Sequence, residues 1–518
     1  MKNRMKTSIN KCLILLVPLI VVCASLFTVG VPPVRANPAI YWVEAGVNGD
    51  GSEGNPAGNI TWVITDQPGR IWNITAGDVI KVKPGTYNDA IEDFPLTISV
   101  TDLTIESTGT TQETIIDATG AGGVNIFEID GNMHNTTING FKIISDGNQI
   151  HGIYSTGVSA ENITIRNNYI TGLEEGGIVL QSGDRSIIED NNITLNGYWG
   201  IYLYSAAEGL VRNNIINGNG ADNPGADGGG IKLGASDSSN LNITGNTIED
   251  NDKNGIYFSK AFSGTVIHNA CLQGNTQYGI RNDNSPTVDA TLNWWGDISG
   301  PGGAGGGAGD HVSSNVDYSP WLDSLYPGGS AIGGTGKSQA ISGSGTLDAR
   351  SEADTTVTVT GSGNVEVGAV KYSRNPTGSS FSGDIGKYFD VNINTTAGVT
   401  SLTLRFFYTD ADIAGKTESL LKMHWWNGGT WRLCNPQTIY MDAVDGYSGY
   451  IEVIVTATST PALSQLVGTP FGIGEEPKPV GGIVIDNDFE FFAPWICIAA
   501  LAIAGIVTAT LTIKRRKH

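Results

Sequence analysis

The sequence predicts an all-β chain: a parallel β-helix followed by a β-sandwich domain, with one C-terminal transmembrane helix. Three observations carry that expectation. A short phrase recurs about every 24 residues between 152 and 281, alternating strands follow residue 346, and an uncharged apolar run, 491–513, ends on four cations.

The ends come first because they set the compartment. Lys2, Arg4, Lys6 and Lys11 precede an apolar run, 12–30, which closes on Val34-Arg35-Ala36. Basic, apolar and small-residue regions in that order describe a secretory signal peptide over 1–36. A lipid anchor on Cys23 is disfavoured, because Val22 stands where Gly or Ala is wanted. The run 491–513 is long enough to cross a hydrocarbon core of ~30 Å at ~1.5 Å per residue. The basic tail, 514–518, belongs on the cytoplasmic side, and Trp495 suits the opposite interface. The expectation is a single-pass cell-surface protein, N-terminal ectodomain outside and C-terminus cytoplasmic.

Nine of the 30 Lys and Arg lie in those two ends, leaving 21 against all 51 Asp and Glu between them. A net charge of about −30 favours solubility and argues against a nucleic-acid partner. It also disfavours unaided binding of polyanionic sugars, which makes calcium a candidate cofactor. Between the ends only Cys271 and Cys434 remain, too few for a disulfide framework, so a large core must hold the fold. Gly, at 70 residues, is about twice its usual ~7 %, as repetitive tight corners require.

The recurring phrase is Gly152-Ile153-Tyr154, Gly177-Ile178-Val179, Gly200-Ile201-Tyr202, Gly230-Ile231-Lys232, Gly255-Ile256-Tyr257 and Gly279-Ile280-Arg281. Between these fall Ile165 to Ile170, Ile188 to Ile193 and Val211 to Ile216, each with paired asparagines, continued more loosely at 243–248 and 267–272. A fixed period of this kind marks a solenoid. Short period-2 stretches such as Ile163-Thr164-Ile165, without helical spacing, select strands. Three strands per coil then stack ~4.8 Å apart and share three aliphatic columns, led by Ile153, Ile165 and Ile170. Asn168, Asn191, Asn214 and Asn246 recur at one corner, where stacked amides form a structural ladder and left-handed backbone is tolerated. Seven Asn-x-Thr sequons are what corners running into strands produce, so glycosylation is allowed without being implied.

The chain resembles the right-handed parallel β-helix repeat proteins of the pectin-lyase-like superfamily over about 40–325. The opening Ile40-Tyr41-Trp42-Val43 and Pro84-Gly85-Thr86-Tyr87 carry the likeness. So do the closing Asn293-Trp294-Trp295-Gly296 and Tyr318-Ser319-Pro320-Trp321. The resemblance implies a right-handed winding over 37–330 and leaves function open, since this fold carries lyases, hydrolases, epimerases, adhesins and spacers. Residues 331–345 read as a Gly/Ser linker and 346–472 as the β-sandwich. Residues 473–490 read as a juxtamembrane linker. Trp425, Trp426 and Trp431 invite sugar stacking, although core and hairpin packing is commoner.

Relatives that cleave pectin need paired aspartates, a Gly-His-Gly and an Arg-Ile-Lys on neighbouring coils. Here Ile150-His151-Gly152 lacks the first Gly, Gly230-Ile231-Lys232 lacks the Arg, and no aspartate pair accompanies them. One outward stripe is nevertheless a candidate ligand groove: Tyr154, Tyr202, Lys232, Tyr257 and Arg281. Its rings suit sugar stacking and its cations suit uronates. Acids at the preceding corners, Glu174, Glu175, Asp222, Asp227, Asp250 and Asp252, are weak calcium candidates. The loop starting at Asp250 imitates an EF-hand but has Ala261 where a bidentate Glu is required. The residues therefore favour a non-catalytic surface protein that binds a polysaccharide or cell-envelope glycan. The alternatives are a calcium-assisted polysaccharide lyase or related hydrolase, and a passive structural spacer.

Overall fold

The computed structural model describes residues 39–65, 73–157, 159–223, 225, 227–234, 238–466 and 469–477. The expected signal peptide and membrane span lie outside them; no helix among the described residues is long and apolar enough to cross a membrane.

Three parallel sheets form the first module. The first sheet includes His151–Ser155, Gly176–Leu180, Trp199–Leu203, Gly229–Leu233, Asn254–Phe258 and Tyr278–Asn282. Its register pairs Ile153, Ile178, Ile201, Ile231, Ile256 and Ile280 in sequence, and all six are at most 2 % exposed. The second sheet aligns Ile165, Ile188, Val211, Ile243 and Ile267, and the third Ile170, Ile193, Ile216, Ile248 and Leu272. Each coil thus presents an apolar wedge that only its neighbours can bury, as the stacking argument requires.

The invariant glycine of each phrase has a spatial cause. A Cβ on Gly177 would lie 2.6 Å from Ile193 Cγ2 and 2.8 Å from the Gly200 carbonyl oxygen. Gly200 and Gly230 meet the same obstacles, so the corner between the third and first sheets closes only without a side chain. At the N-terminal end a short helix, Ile60–Ile64, packs on the first strands. Glu92 accepts from the Ile60 and Thr61 amides at 2.7 and 2.8 Å.

The asparagine ladder exists. Asn168 Nδ2 donates to Asn191 Oδ1 at 3.1 Å, Asn191 to Asn214 at 3.0 Å, and Asn214 to Asn246 at 3.0 Å. Each amide also donates to a strand carbonyl, so no capacity is left for a ligand. The left-handed backbone falls one residue earlier than expected, at Asn167, Asp190 and Asn213. A second ladder was not foreseen. It runs Asn196, Asn219, Asn251, Asn275 at the opposite corner and ends on Asp310.

After the β-helix the reading of 331–345 as a linker is wrong. Ala331–Ile332 pairs with Trp321–Leu322, and Gly334–Ser342 is a nine-residue strand paired with Asn364–Tyr372. Glycine there permits close docking rather than flexibility. A Cβ on Gly336 would sit 2.3 Å from the Gly305 carbonyl oxygen, and one on Gly368 2.2 Å from that of Gly306. The reading of 473–490 as linker is likewise corrected for its start: Phe471–Glu475 is an inner strand between Asp384–Ile393 and Leu421–Trp426. Six- and five-stranded antiparallel sheets, counted among the described residues, share one core that includes Leu347, Phe389, Phe406 and Phe471. Val370, Tyr372 and Tyr388 join Trp321 in the β-helix core instead, so the two modules are packed together.

Candidate functional site

The site grows out of the first sheet's alternation. With each Ile turned inward, the next residue turns outward, and the register sets Glu128, Tyr154, Val179, Tyr202, Lys232, Tyr257 and Arg281 in one line. From Tyr154 to Arg281 the line covers about 24 Å along the helix axis at ~4.8 Å per coil. All five stripe residues expected from sequence therefore share one face.

Their surroundings differ along the line. Tyr154 stacks on His151 at 5.0 Å, and Gln181 Nε2 donates to its hydroxyl at 3.0 Å. Tyr202 is not the exposed ring expected: it is 6 % exposed, stacked on Tyr204 at 4.1 Å and tilted against Trp199 at 4.9 Å. Burial and the Tyr204 hydroxyl push its own hydroxyl far above the usual tyrosine range. The Lys232 ammonium lies over Tyr202 at 4.6 Å and Trp199 at 4.8 Å, and it pairs with Asp227 at 2.5 Å. Burial alone would raise the Asp227 carboxyl, but Lys232 outweighs it and holds it below the usual range. Arg281 covers Tyr257 at 5.2 Å and Tyr278 at 5.7 Å and pairs with Asp283 at 2.7 Å. Trp199, Tyr204, Tyr257 and Tyr278 remain half-buried, with ring area left for a ligand.

Trp199, Tyr204, His151, Tyr278 and Asp283 escaped the sequence reading. The signal was present for three of them. The residue two before each column Ile is also a register line, His151, Gly176, Trp199, Gly229, Asn254 and Tyr278, and only the residue after the Ile was followed.

The calcium candidates do not converge. Among the described residues no three His, Cys, Asp or Glu side chains could hold one ion. Asp227 is committed to Lys232, and Glu175 lies 3.6 Å from His151. Asp250 and Asp252 flank Asn251 of the second ladder, with Thr276 donating to Asp252 at 3.4 Å. Glu174 and Asp222 are exposed at separate coils. The tryptophans of the second module are packing residues. Trp425 is buried and donates to Thr469 at 2.9 Å; Trp431 packs on Phe381 at 4.8 Å and donates to the Ser379 carbonyl at 2.6 Å. An open hollow of about 420 Å³ there is lined by Arg350, but that guanidinium is paired with Asp348 and Asp445.

Residues 97–270 match the family described as the right handed β-helix region. The chain carries a right-handed β-helix repeat. No curated protein matches it. Among solved structures it is similar to the A-module of mannuronan C-5 epimerase AlgE4 from Azotobacter vinelandii, at 17 % identity over 42 % of this chain and 70 % of that one, TM-score 0.30. A GH136 lacto-N-biosidase from Eubacterium ramulus gives 14 %, 49 %, 59 % and 0.36. ORF18 of Geobacillus virus E2 gives 14 %, 72 %, 81 % and 0.38. Likeness at this level does not reach activity, which rests on the site itself.

Proposed function

We propose that this chain is a non-catalytic cell-surface protein whose first sheet binds a polysaccharide or cell-envelope glycan. One observation carries the reading: Trp199, Tyr204, Tyr257 and Tyr278 expose ring area on one face of a rigid coil stack, interleaved with Lys232 and Arg281. Aromatic faces offer a sugar both apolar contact and a polar rim, and a stack of coils fixes their spacing in advance of binding. The neighbouring carboxylates support binding over cleavage, since Asp227 and Asp283 are held by cations and Glu175 stands beside His151. Under this reading 1–36 is removed on export and 491–513 holds the protein in the membrane.

A glycan array probed with the detergent-solubilised full-length chain tests it. Retention of a defined glycan class with no reducing or unsaturated ends released is expected; no binding at all, or product formation, defeats the reading. For the anchor, a chain cut before Glu490 should enter the medium, whereas persistent membrane retention would contradict it.

A further inference from the structure

We infer that the ligand of this face is an uncharged glycan chain, running along the helix axis and held by ring stacking rather than by ion pairing. The inference rests on the glycan reading above and deepens it.

The sequence suggests the opposite, because Lys232 and Arg281 on a strand face are what a uronate carboxylate would seek. In the folded chain both cations are already taken. Lys232 pairs with Asp227 at 2.5 Å and Arg281 with Asp283 at 2.7 Å, and each lies over two aromatic rings. A carboxylate arriving from solution must displace a resident carboxylate of the same chemistry whose effective concentration is far higher. His151 adds no cation, since burial holds its imidazole down at about 4, neutral at ordinary pH. Glu128, in register with Tyr154, and Glu175 beside His151 add negative charge to the same face. The whole chain carries −21, so a polyanion is repelled at long range as well as locally unpaired.

The pairs have a constructive role in this account. Each acid pulls its cation down over the rings, which locks Trp199, Tyr202 and Tyr257 in place and sets a platform of fixed faces. Sugar C–H faces can then stack without any ion-pair partner, and hydroxyls can reach the tyrosine hydroxyls and Gln181. Binding of this kind is insensitive to salt, unlike attraction between exposed charges.

The test is titration of the full-length chain with two neutral polymers, galactomannan and xyloglucan, and two acidic ones, polygalacturonate and alginate. Each is run at about 0.1 M and about 1 M salt. The expected result is affinity for at least one neutral polymer that changes less than about twofold with salt, and weaker or no binding of the acidic pair. Asp227→Asn frees Lys232. Relative to wild type it should raise the acidic-to-neutral affinity ratio at low salt by about two- to fivefold, the scale of one half-exposed ion pair. Tighter, salt-dependent binding of an acidic polymer by wild type would overturn the inference while leaving a glycan site in place. An unchanged ratio in Asp227→Asn would overturn the claim that Asp227 occupies the cation. Binding of neither polymer class, with no hit on the array, removes the glycan reading and this inference together.

Discussion

A coil of the β-helix and a strand of the second module solve the same burial problem with different partners. Ile201 lies between Ile178 and Ile231, its own counterparts one coil away. Phe406 instead packs on Phe389 and Phe471, at 5.1 and 5.2 Å, from two strands of the facing sheet. In the stack every inward position touches a copy of itself, so damage at one coil leaves the contacts of others intact. Between the two antiparallel sheets a few large rings carry the contact, and losing one opens the interface. The difference teaches that regular repetition distributes stability, whereas a sheet pair concentrates it.

The sharpest way to break this comparison is Phe406→Ala. It should cost about 3–5 kcal/mol, read as a lowered denaturant midpoint of the second module. A loss under ~1 kcal/mol would mean that the ring cluster does not join the sheets. Ile201→Ala should cost less, about 2–3 kcal/mol, because its neighbours supply the same aliphatic surface on both sides. A change of only ~0.5 kcal/mol would place Ile201 at the surface and refute the register. Asn219→Ala sharpens the polar side of the comparison. It strands the Asn196 amide, whose backbone N–H and Nδ2 both donate to Asn219 Oδ1, and should cost about 1–3 kcal/mol by thermal melting.

The same contrast explains what could be read in advance. Gly152-Ile153-Tyr154 and its five echoes exposed the coil register directly, because partners in a solenoid stand one period apart and look alike. The first ladder was legible for the same reason. The second was not, because Asn196, Asn219, Asn251 and Asn275 follow the third column in less similar phrases. Gly334–Ser342 was misread because its partner strand, Asn364–Tyr372, has an unrelated sequence. Its glycines serve backbone contact with 302–309, a fact invisible in composition. At the site, the line of outward residues followed from period alone, but the burial of Tyr202 did not. That burial depends on Trp199 and Tyr204 leaning onto it, and on Lys232 being drawn down by Asp227.

A smaller effect distinguishes the two ladders by pH. The second ends on Asp310, whose carboxyl burial pushes up from 3.8 to about 6 against the opposing Asn275 hydrogen bonds and His311. A raised folded value means that the folded chain holds the proton more tightly, so this contribution is full below the unfolded value and lost as pH rises through the folded one. Asp310→Asn keeps an oxygen acceptor for Asn275 and removes the titration. The melting temperature of wild type minus that of the variant should therefore fall between about pH 4 and about pH 6. A flat difference would show that Asp310 does not end the ladder as a protonated group.

The smallest change in stability accompanies the most direct test of the central claim, that the ring face of the first sheet is a glycan site. Tyr257 is half-buried and outward, so Tyr257→Ala should alter stability by no more than about 0.5 kcal/mol. Calorimetric titration of full-length wild type and Tyr257→Ala, with the best glycan from the array, decides the matter. The account predicts that affinity falls by about three- to tenfold, the worth of one stacking ring, while the melting curve stays in place. Equal affinity in the two proteins, with equal stability, would contradict it and leave the stripe as ordinary strand surface.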